Sequence, residues 1–122
     1  MIIKDIKDQE FFPVQDHTKL TELFHPHKNT SYPLPYSLAY AELSAYKKSI
    51  LHRLTHSTEL YIIVKGKGIM HIDNEQQAVS KQQVILIPKN SIQYIENTTK
   101  EPLGFFCIVN PPYHQQDDKI QR

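Results

Sequence analysis

From Ser37 onward, the sequence consists of short runs of β-branched and aromatic residues. Residues typical of turns separate these runs from one another. Such runs predict strands, and about seven or eight of them in a row predict a sandwich or a barrel. No window of about 11 residues has a convincing helical period of apolar residues, so we expect an all-β fold with at most one short helix. The predicted strands cover residues 37–43, 49–54, 60–64, 69–73, 77–80, 84–87, 92–97 and 103–110.

The first 36 residues are less regular than the rest of the chain. Prolines interrupt the runs at Pro26, Pro33 and Pro35, and each removes a backbone donor and restricts the residue before it. Residues 18–24 are compatible with a short strand or a single helical turn. We therefore expect residues 1–36 to form an arm that packs on a barrel of residues 37–114, with a tail over residues 115–122. In that tail, Asp117 and Asp118 are expected to be solvated.

Composition narrows the classes of partner and compartment. The 122 residues suit one domain, and the net charge of +1, spread along the chain, offers no basic stripe for a nucleic acid. No stretch reaches the ~18 apolar residues that a membrane span needs, and the charged residues near Met1 do not suit a signal peptide. The sole cysteine, Cys107, lies in an apolar run and is predicted to be a buried small hydrophobe. A cytoplasmic location is the default.

Three of the predicted strands carry one polar side chain each on an otherwise apolar face. Alternate residues of a strand share a face, and if these three faces line one interior, then His52, Glu59 and Gln93 converge. The three sets are Ile50, His52 and Leu54; Glu59, Tyr61 and Ile63; and Gln93, Ile95 and Asn97. The predicted ligand pocket consists of His52, Leu54, Glu59, Tyr61, Gln93 and Ile95.

The spacing of these residues resembles that of the cupins. His52, Glu59 and Gly66 follow the first cupin motif, and Pro88 to Asn97 follow the second. The likeness extends over about residues 21–113 and points to small single-domain bacterial cupins. It implies a double-stranded β-helix, also called a jelly-roll barrel.

The resemblance also implies one divalent metal ion, held by three histidines and a glutamate. Carried over by position, His52 and Glu59 keep two of these ligands, whereas Leu54 and Gln93 stand where the family has histidines. Such a site suits iron, manganese, nickel, copper or zinc. Because His56 has the strand parity of Leu54, it could turn inward, so the candidate metal ligands are His52, Glu59, Gln93 and His56. The alternative is a metal-free pocket in which His52, Glu59 and Gln93 hydrogen-bond one another.

These residues leave three functions open. The first is the binding of a small polar molecule, with the metal site weakened or absent. The second is a metal-dependent enzyme of the isomerase, dioxygenase or lyase type that acts on a sugar phosphate or a small carboxylic acid. The third is metal-free acid–base catalysis, which needs His52 paired with a carboxylate and Tyr61 as a nearby acid. Whether the protein is an enzyme stays open at this point.

The apolar residues of the arm also bear on assembly. They are too many for a free tail, and small cupins commonly form homodimers, so we expect a homodimer with an isologous contact. The alternative is a monomer whose arm folds back on its own barrel. The arm residues concerned are Ile2, Ile3, Ile6, Phe11 and Phe12.

Overall fold

The structure, a computed structural model, describes residues 1–13 and 18–121. These residues form strands and two short 3-10 turns, Ile6–Asp8 and Gln115–Asp117, so the prediction of an all-β fold is confirmed. No helix in this part of the chain has the length and apolar character to cross a membrane. The strands are β1 (Phe12–Pro13), β2 (Thr18–Phe24), β3 (Ser37–Leu43), β4 (His52–Leu54), β5 (Thr58–Lys65), β6 (Lys67–Ile72), β7 (Glu75–Ser80), β8 (Val84–Ile87), β9 (Gln93–Asn97), β10 (Leu103–Asn110) and β11 (Asp118–Ile120).

Two antiparallel sheets face each other. One has six strands in the order β1-β2-β3-β10-β5-β8, and the other has five in the order β11-β4-β9-β6-β7. The chain crosses between the sheets after β3, β4, β5, β7, β8, β9 and β10, so neither sheet can form from one continuous segment. Side chains at alternate positions of both sheets meet in one core. The most deeply buried core residues include Leu43, Ile63, Ile87, Ile95 and Leu103.

The predicted strand bounds agree with the structure for β3, β8 and β10, lie within two residues of it for β5, β6, β7 and β9, and differ most for β4. Residues 49–54 were expected to form a strand, whereas β4 begins at His52. Ser49 makes the difference, because its hydroxyl oxygen accepts the backbone N–H of Ile95 at 2.8 Å while its own N–H donates to the Ile95 carbonyl at 2.9 Å. A side chain thus replaces a backbone acceptor, and the regular ladder is interrupted there.

Residues 18–24 form a strand rather than a helical turn. β2 pairs with β3 along the six-stranded sheet, with Leu20 opposite Ala41 and Thr21 opposite Tyr40. Two residues before β1 contact the same sheet: the Lys4 ammonium donates to a backbone carbonyl of β2, and the Phe11 ring packs edge-on against the Tyr40 ring at 6.2 Å. This part of the arm therefore extends the sheet and does more than cover it.

The prediction that Asp117 and Asp118 lie in a solvated tail is wrong. β11 pairs with β4, placing Asp118 opposite Leu54, and both aspartates are only partly exposed. The Asp117 carbonyl accepts the Thr55 N–H at 2.9 Å. β4 pairs with β9 at a single position, His52 opposite Gln93. The other edge of β4 presents backbone donors and acceptors that a further strand can satisfy. Residues 118–120 are therefore part of the five-stranded sheet.

Asn97 connects the two sheets at one end of the barrel. It closes β9 and is 1% exposed. Its amide nitrogen lies 2.8 to 3.2 Å from the carbonyl oxygens of Leu43, Ser44 and Glu101, and its amide oxygen accepts the Thr99 N–H at 3.0 Å. One side chain thus satisfies backbone groups after β3 and in the loop between β9 and β10.

Candidate functional site

The inner faces of the two sheets enclose a cavity of about 460 Å³. This volume lies in the range of small-molecule sites, roughly 300 to 1,000 Å³. Its walls are mostly apolar, and its polar groups come from both sheets and from the segment after β10. The apolar wall includes Leu20, Ala41, Ile50, Leu54, Phe105, Cys107 and Val109, and the polar groups include Glu22, Lys28, Ser37, His52, Glu59, Tyr61 and Tyr113.

Glu59, Gln93 and Tyr61 form one buried hydrogen-bond network. The Gln93 Nε2 group donates to Glu59 Oε1 at 2.9 Å, and the Tyr61 hydroxyl donates to Gln93 Oε1 at 3.1 Å. Glu59 and Tyr61 share the inner face of β5, as the alternation of the sequence predicts, and β9 brings Gln93 to them from the opposite sheet. The Gln93 amide is therefore fixed in orientation by one acceptor and one donor.

The environment of Glu59 changes its acidity. Burial raises the pKa of Glu59, the hydrogen bond from Gln93 opposes the rise, the negative charge of Asp118 adds to it, and the net value is about 7. A carboxyl group with this pKa exchanges its proton near neutral pH. Burial, together with the charge of Glu59, also keeps the pKa of the Cys107 thiol well above its ordinary value, so this cysteine is not an activated nucleophile.

A second group of polar side chains lies beside this network. The Tyr113 hydroxyl donates to Asp118 Oδ2 at 2.7 Å, and His52 Nδ1 lies 4.0 Å from Asp118 Oδ1. Burial and the adjacent Asp118 raise the pKa of Tyr113. Asp118 Oδ1 is buried and has no hydrogen-bond partner among the residues that the structure describes. Asp118 and Tyr113 are not among the site residues predicted from the sequence, and the only local signal is the three-residue stretch from Asp118 to Ile120, which is too short to predict a strand.

The predicted pocket residues occupy different places around the cavity. His52, Leu54, Glu59 and Tyr61 line it. Gln93 is buried behind them as the hydrogen-bond partner of Glu59 and Tyr61, and Ile95 is buried in the core. The structure places no hydrogen bond between His52 and Glu59 among the described residues, and His52 instead lies beside Asp118.

His56 does not reach the cavity. Its side chain is 74% exposed, and Nδ1 lies 2.8 Å from Asp117 Oδ1. β4 ends at Leu54, so His56 is in the turn that follows and no longer has the strand orientation that its parity implies. The pairing of β11 with β4 brings Asp117 to this turn and holds the imidazole on the outside.

The side chains present do not fit the metal ion that the family resemblance implies. Leu54 has no donor atom, and Gln93 directs an N–H at Glu59 where a metal ligand would need a lone pair. His52 lies opposite Gln93 where β4 pairs with β9, and its Nδ1 lies 4.0 Å from Asp118 Oδ1. No group of three His, Cys, Asp or Glu side chains within residues 1–13 and 18–121 is arranged to hold a metal.

Comparison with known proteins gives the following matches. A family model described as "Cupin domain" matches residues 41–109. Uncharacterized protein MJ1618 of the archaeon Methanocaldococcus jannaschii is 37% identical over 106 residues, which cover 87% of this chain and 83% of that protein.

Solved structures of similar fold include a predicted oxalate decarboxylase from Thermotoga maritima. It is 16% identical, with 91% of this chain and 99% of that chain covered and a TM-score of 0.79. Streptomyces PAC13 with uridine is also 16% identical, with 97% and 88% covered and a TM-score of 0.76. At such identities, the two structures show a common fold and no more.

Proposed function

This chain belongs to the cupin family and forms the family's jelly-roll barrel, and from that premise we propose that it binds a small molecule with a polar group inside the barrel. One observation carries the proposal. The apolar cavity of about 460 Å³ has a fixed set of polar groups, the Glu59–Gln93–Tyr61 network, at one place in its wall. Apolar walls with a few oriented polar groups are typical of ligand pockets.

We propose further that binding needs no metal ion. The donor set described above lacks two of the family's histidines, and Glu59 is engaged with the Gln93 amide. The alternative is a metal-dependent enzyme of the isomerase, dioxygenase or lyase type acting on a sugar phosphate or a small carboxylic acid. Its support is the fold, because one structural neighbour is described as a predicted oxalate decarboxylase and another as a nucleoside dehydratase. The side chains of this cavity do not add to that support.

Metal-free acid–base catalysis is a second candidate, favoured by the protonation behaviour of the site. A pKa of about 7 suits Glu59 to donate or accept a proton at neutral pH. His52 lies beside a carboxylate, Asp118, and lines the same cavity. Turnover of a bound compound, abolished in Glu59→Gln, would distinguish catalysis from binding alone.

Filling the cavity is expected to weaken binding. Ala41 lines the cavity and is 1% exposed, so Ala41→Leu adds three carbon atoms to the ligand space. We expect 2-phenylethanol, a probe with an apolar ring and one hydroxyl, to shift the amide resonances of Leu54, Tyr61 and Phe105 in a nuclear magnetic resonance titration. In Ala41→Leu, its affinity should fall by at least about tenfold, the equivalent of about 1.4 kcal/mol.

The control is Ala78→Leu, which makes the same change at an exposed position of β7 and should leave the affinity unchanged. The titration is repeated after chelator treatment and after addition of zinc or manganese. Neither treatment should change the affinity for 2-phenylethanol. Resonance shifts in wild-type protein that Ala41→Leu does not reduce would contradict the assignment to this cavity. A requirement for metal would contradict the metal-free form of the proposal.

We also propose that the protein is a homodimer, in which two copies meet through the outer face of the six-stranded sheet. Val84 and Leu86 on the edge strand β8 are each 61% exposed, and Val64 on β5 is 40% exposed. Across the two strands, Val84 lies opposite Ile62 and Leu86 opposite Leu60, which makes one apolar patch. A partner copy would cover both this patch and the free strand edge.

Light scattering tests the dimer. We expect wild-type protein to have twice the 14.3 kDa mass of one chain, and Leu86→Lys to return the mass of a single chain. Gln77→Lys, on the exposed part of β7, is the matched control and should stay dimeric. A wild-type mass near 14.3 kDa at micromolar concentration would end the proposal.

The remaining expectations stay proposals. We propose a cytoplasmic location, which cell fractionation checks, and a small molecule rather than a nucleic acid or a membrane as the partner. The net charge of +1 supports the exclusion of nucleic acid, because such binding depends on clustered positive charge.

A further inference from the structure

The charges and free acceptors around the cavity restrict the kind of molecule that can bind there. We infer that the cavity takes a ligand whose polar head donates hydrogen bonds and carries no negative charge, on an apolar or aromatic body, and that it rejects carboxylates and phosphate esters. This inference rests on the proposed binding function and names the ligand class.

Two carboxylate oxygens at the polar end accept no hydrogen bond within the described part of the chain, and only one of them belongs to a residue of the cavity wall. Glu59 lines the cavity and uses Oε1 to accept from Gln93, and no hydrogen bond reaches its Oε2. Asp118 lies behind the wall, where its Oδ2 accepts from Tyr113 and its Oδ1 is buried, 4.0 Å from His52 Nδ1. A ligand that brings an O–H or N–H group can therefore donate to Glu59 Oε2, and it meets the negative charge of Asp118 close behind the wall.

The charge balance of the lining points the same way. Lys28 is the sole lysine or arginine that lines the cavity in the described residues, and its ammonium is paired with Glu22 at 3.4 Å. That pair is close to neutral, which leaves the carboxyl group of Glu59 in the wall and that of Asp118 behind it, beside the single imidazole of His52. An anionic ligand would meet the Glu59 carboxylate with the charge of Asp118 close behind it, and the described lining residues include no arginine guanidinium to bind its oxygens. Desolvation in an apolar cavity makes this repulsion stronger than it is in water.

The body of the ligand is set by the apolar part of the cavity wall. The rings of Tyr61 and Phe105 lie with their centroids 4.5 Å apart, and Leu54 and Val109 extend the same surface. Aromatic and aliphatic side chains in this arrangement bury an apolar or aromatic group. A compound that is polar throughout would leave this wall uncovered.

Three probes with the same body and different heads test the inference. They are 2-phenylethanol, 2-phenylethylamine and phenylacetate, titrated at pH 8, where the heads are neutral, positive and negative. We expect the alcohol and the amine to bind, and phenylacetate to bind at least tenfold more weakly than the alcohol. In Glu59→Gln and in Asp118→Asn, each of which removes a charge and keeps the shape, phenylacetate should gain affinity relative to the amine. Glu75→Gln, an exposed glutamate on β7, is the matched control and should change nothing.

The outcomes separate this inference from the proposed function. Phenylacetate binding as tightly as the alcohol, with that binding weakened by Ala41→Leu, would overturn the ligand class and leave cavity binding intact. Failure of all three probes to bind would overturn both. A preference for the amine over the alcohol supports the inference and identifies a cationic ligand, whereas equal binding of the two supports it and identifies an uncharged ligand.

Discussion

Replacing Asn97 with alanine is expected to lower the free energy of unfolding by about 3 kcal/mol or more. The change removes the donor that three buried or partly buried carbonyls share, and it removes the acceptor of the Thr99 N–H. Each buried polar group left without a partner costs about 1 to 3 kcal/mol. Urea denaturation followed by circular dichroism measures the loss. Asn97→Asp keeps the acceptor and turns a carboxylate toward the same carbonyls, so it should also destabilise strongly.

The neighbouring residue provides the control for this prediction. Thr98 is exposed, and Thr98→Ala should change the free energy of unfolding by no more than about 0.5 kcal/mol. A loss below about 1 kcal/mol in Asn97→Ala would mean that water or a shifted loop satisfies these backbone groups. In that case Asn97 would not be the connection between the two sheets.

Glu59→Gln is expected to change how stability depends on pH. In the wild-type protein, the pKa of Glu59 rises from its ordinary value of 4.5 to about 7 on folding. Between these two values the folded state holds a proton that the unfolded state has lost, so the free energy of unfolding falls as pH rises. The stabilisation is complete below pH 4.5 and is lost as pH rises through about 7, with a total of roughly 3 kcal/mol.

The variant should lose this part of the pH dependence. A glutamine at position 59 stays neutral and can still accept the Gln93 N–H, so it should fold. At pH 8 it should be at least as stable as wild type. Urea denaturation from pH 4 to pH 8 measures both proteins, and Glu75→Gln, which removes an exposed charge, should retain the wild-type profile. Parallel curves for wild type and Glu59→Gln would show that Glu59 has the same pKa in the folded and unfolded states.

The part of the site that follows from strand alternation could be predicted from the sequence. Glu59 and Tyr61 share a face because they are two residues apart on a strand, and the same rule places Gln93 on an inner face of β9. The family spacing links the two strands, and the structure places Gln93 within hydrogen-bond distance of both side chains. The alternation of inward and outward side chains is a local property of a strand. Strand bounds such as those of β8 and β10 can therefore be predicted without knowledge of the partner strands.

The part that depends on distant pairing could not be predicted. Asp118 reaches His52 because β11 pairs with β4, more than 60 positions earlier in the chain, over three residues. Nothing in the stretch Asp118–Ile120 marks it as a strand, and two adjacent aspartates are typical of a solvated segment. Ser49 is a similar case, because a hydroxyl that replaces a backbone acceptor ends the ladder where the residue types favour a strand. Whether a short segment becomes a strand, or a strand ends early, depends on which free sheet edge or hydrogen-bonding group lies near it in space.

The central position of β10 has a consequence for the order of folding during synthesis. β10 lies between β3 and β5, and β3 has no other partner on that side, so the six-stranded sheet stays in two parts until residues 103–110 have left the ribosome. The pairing of Leu43 with Leu103 closes a long loop, and such non-local contacts slow folding. The nascent chain therefore exposes the apolar faces of β3 and β5 from their synthesis until β10 emerges, and a chaperone that shields them would act before residues 103–110 leave the ribosome.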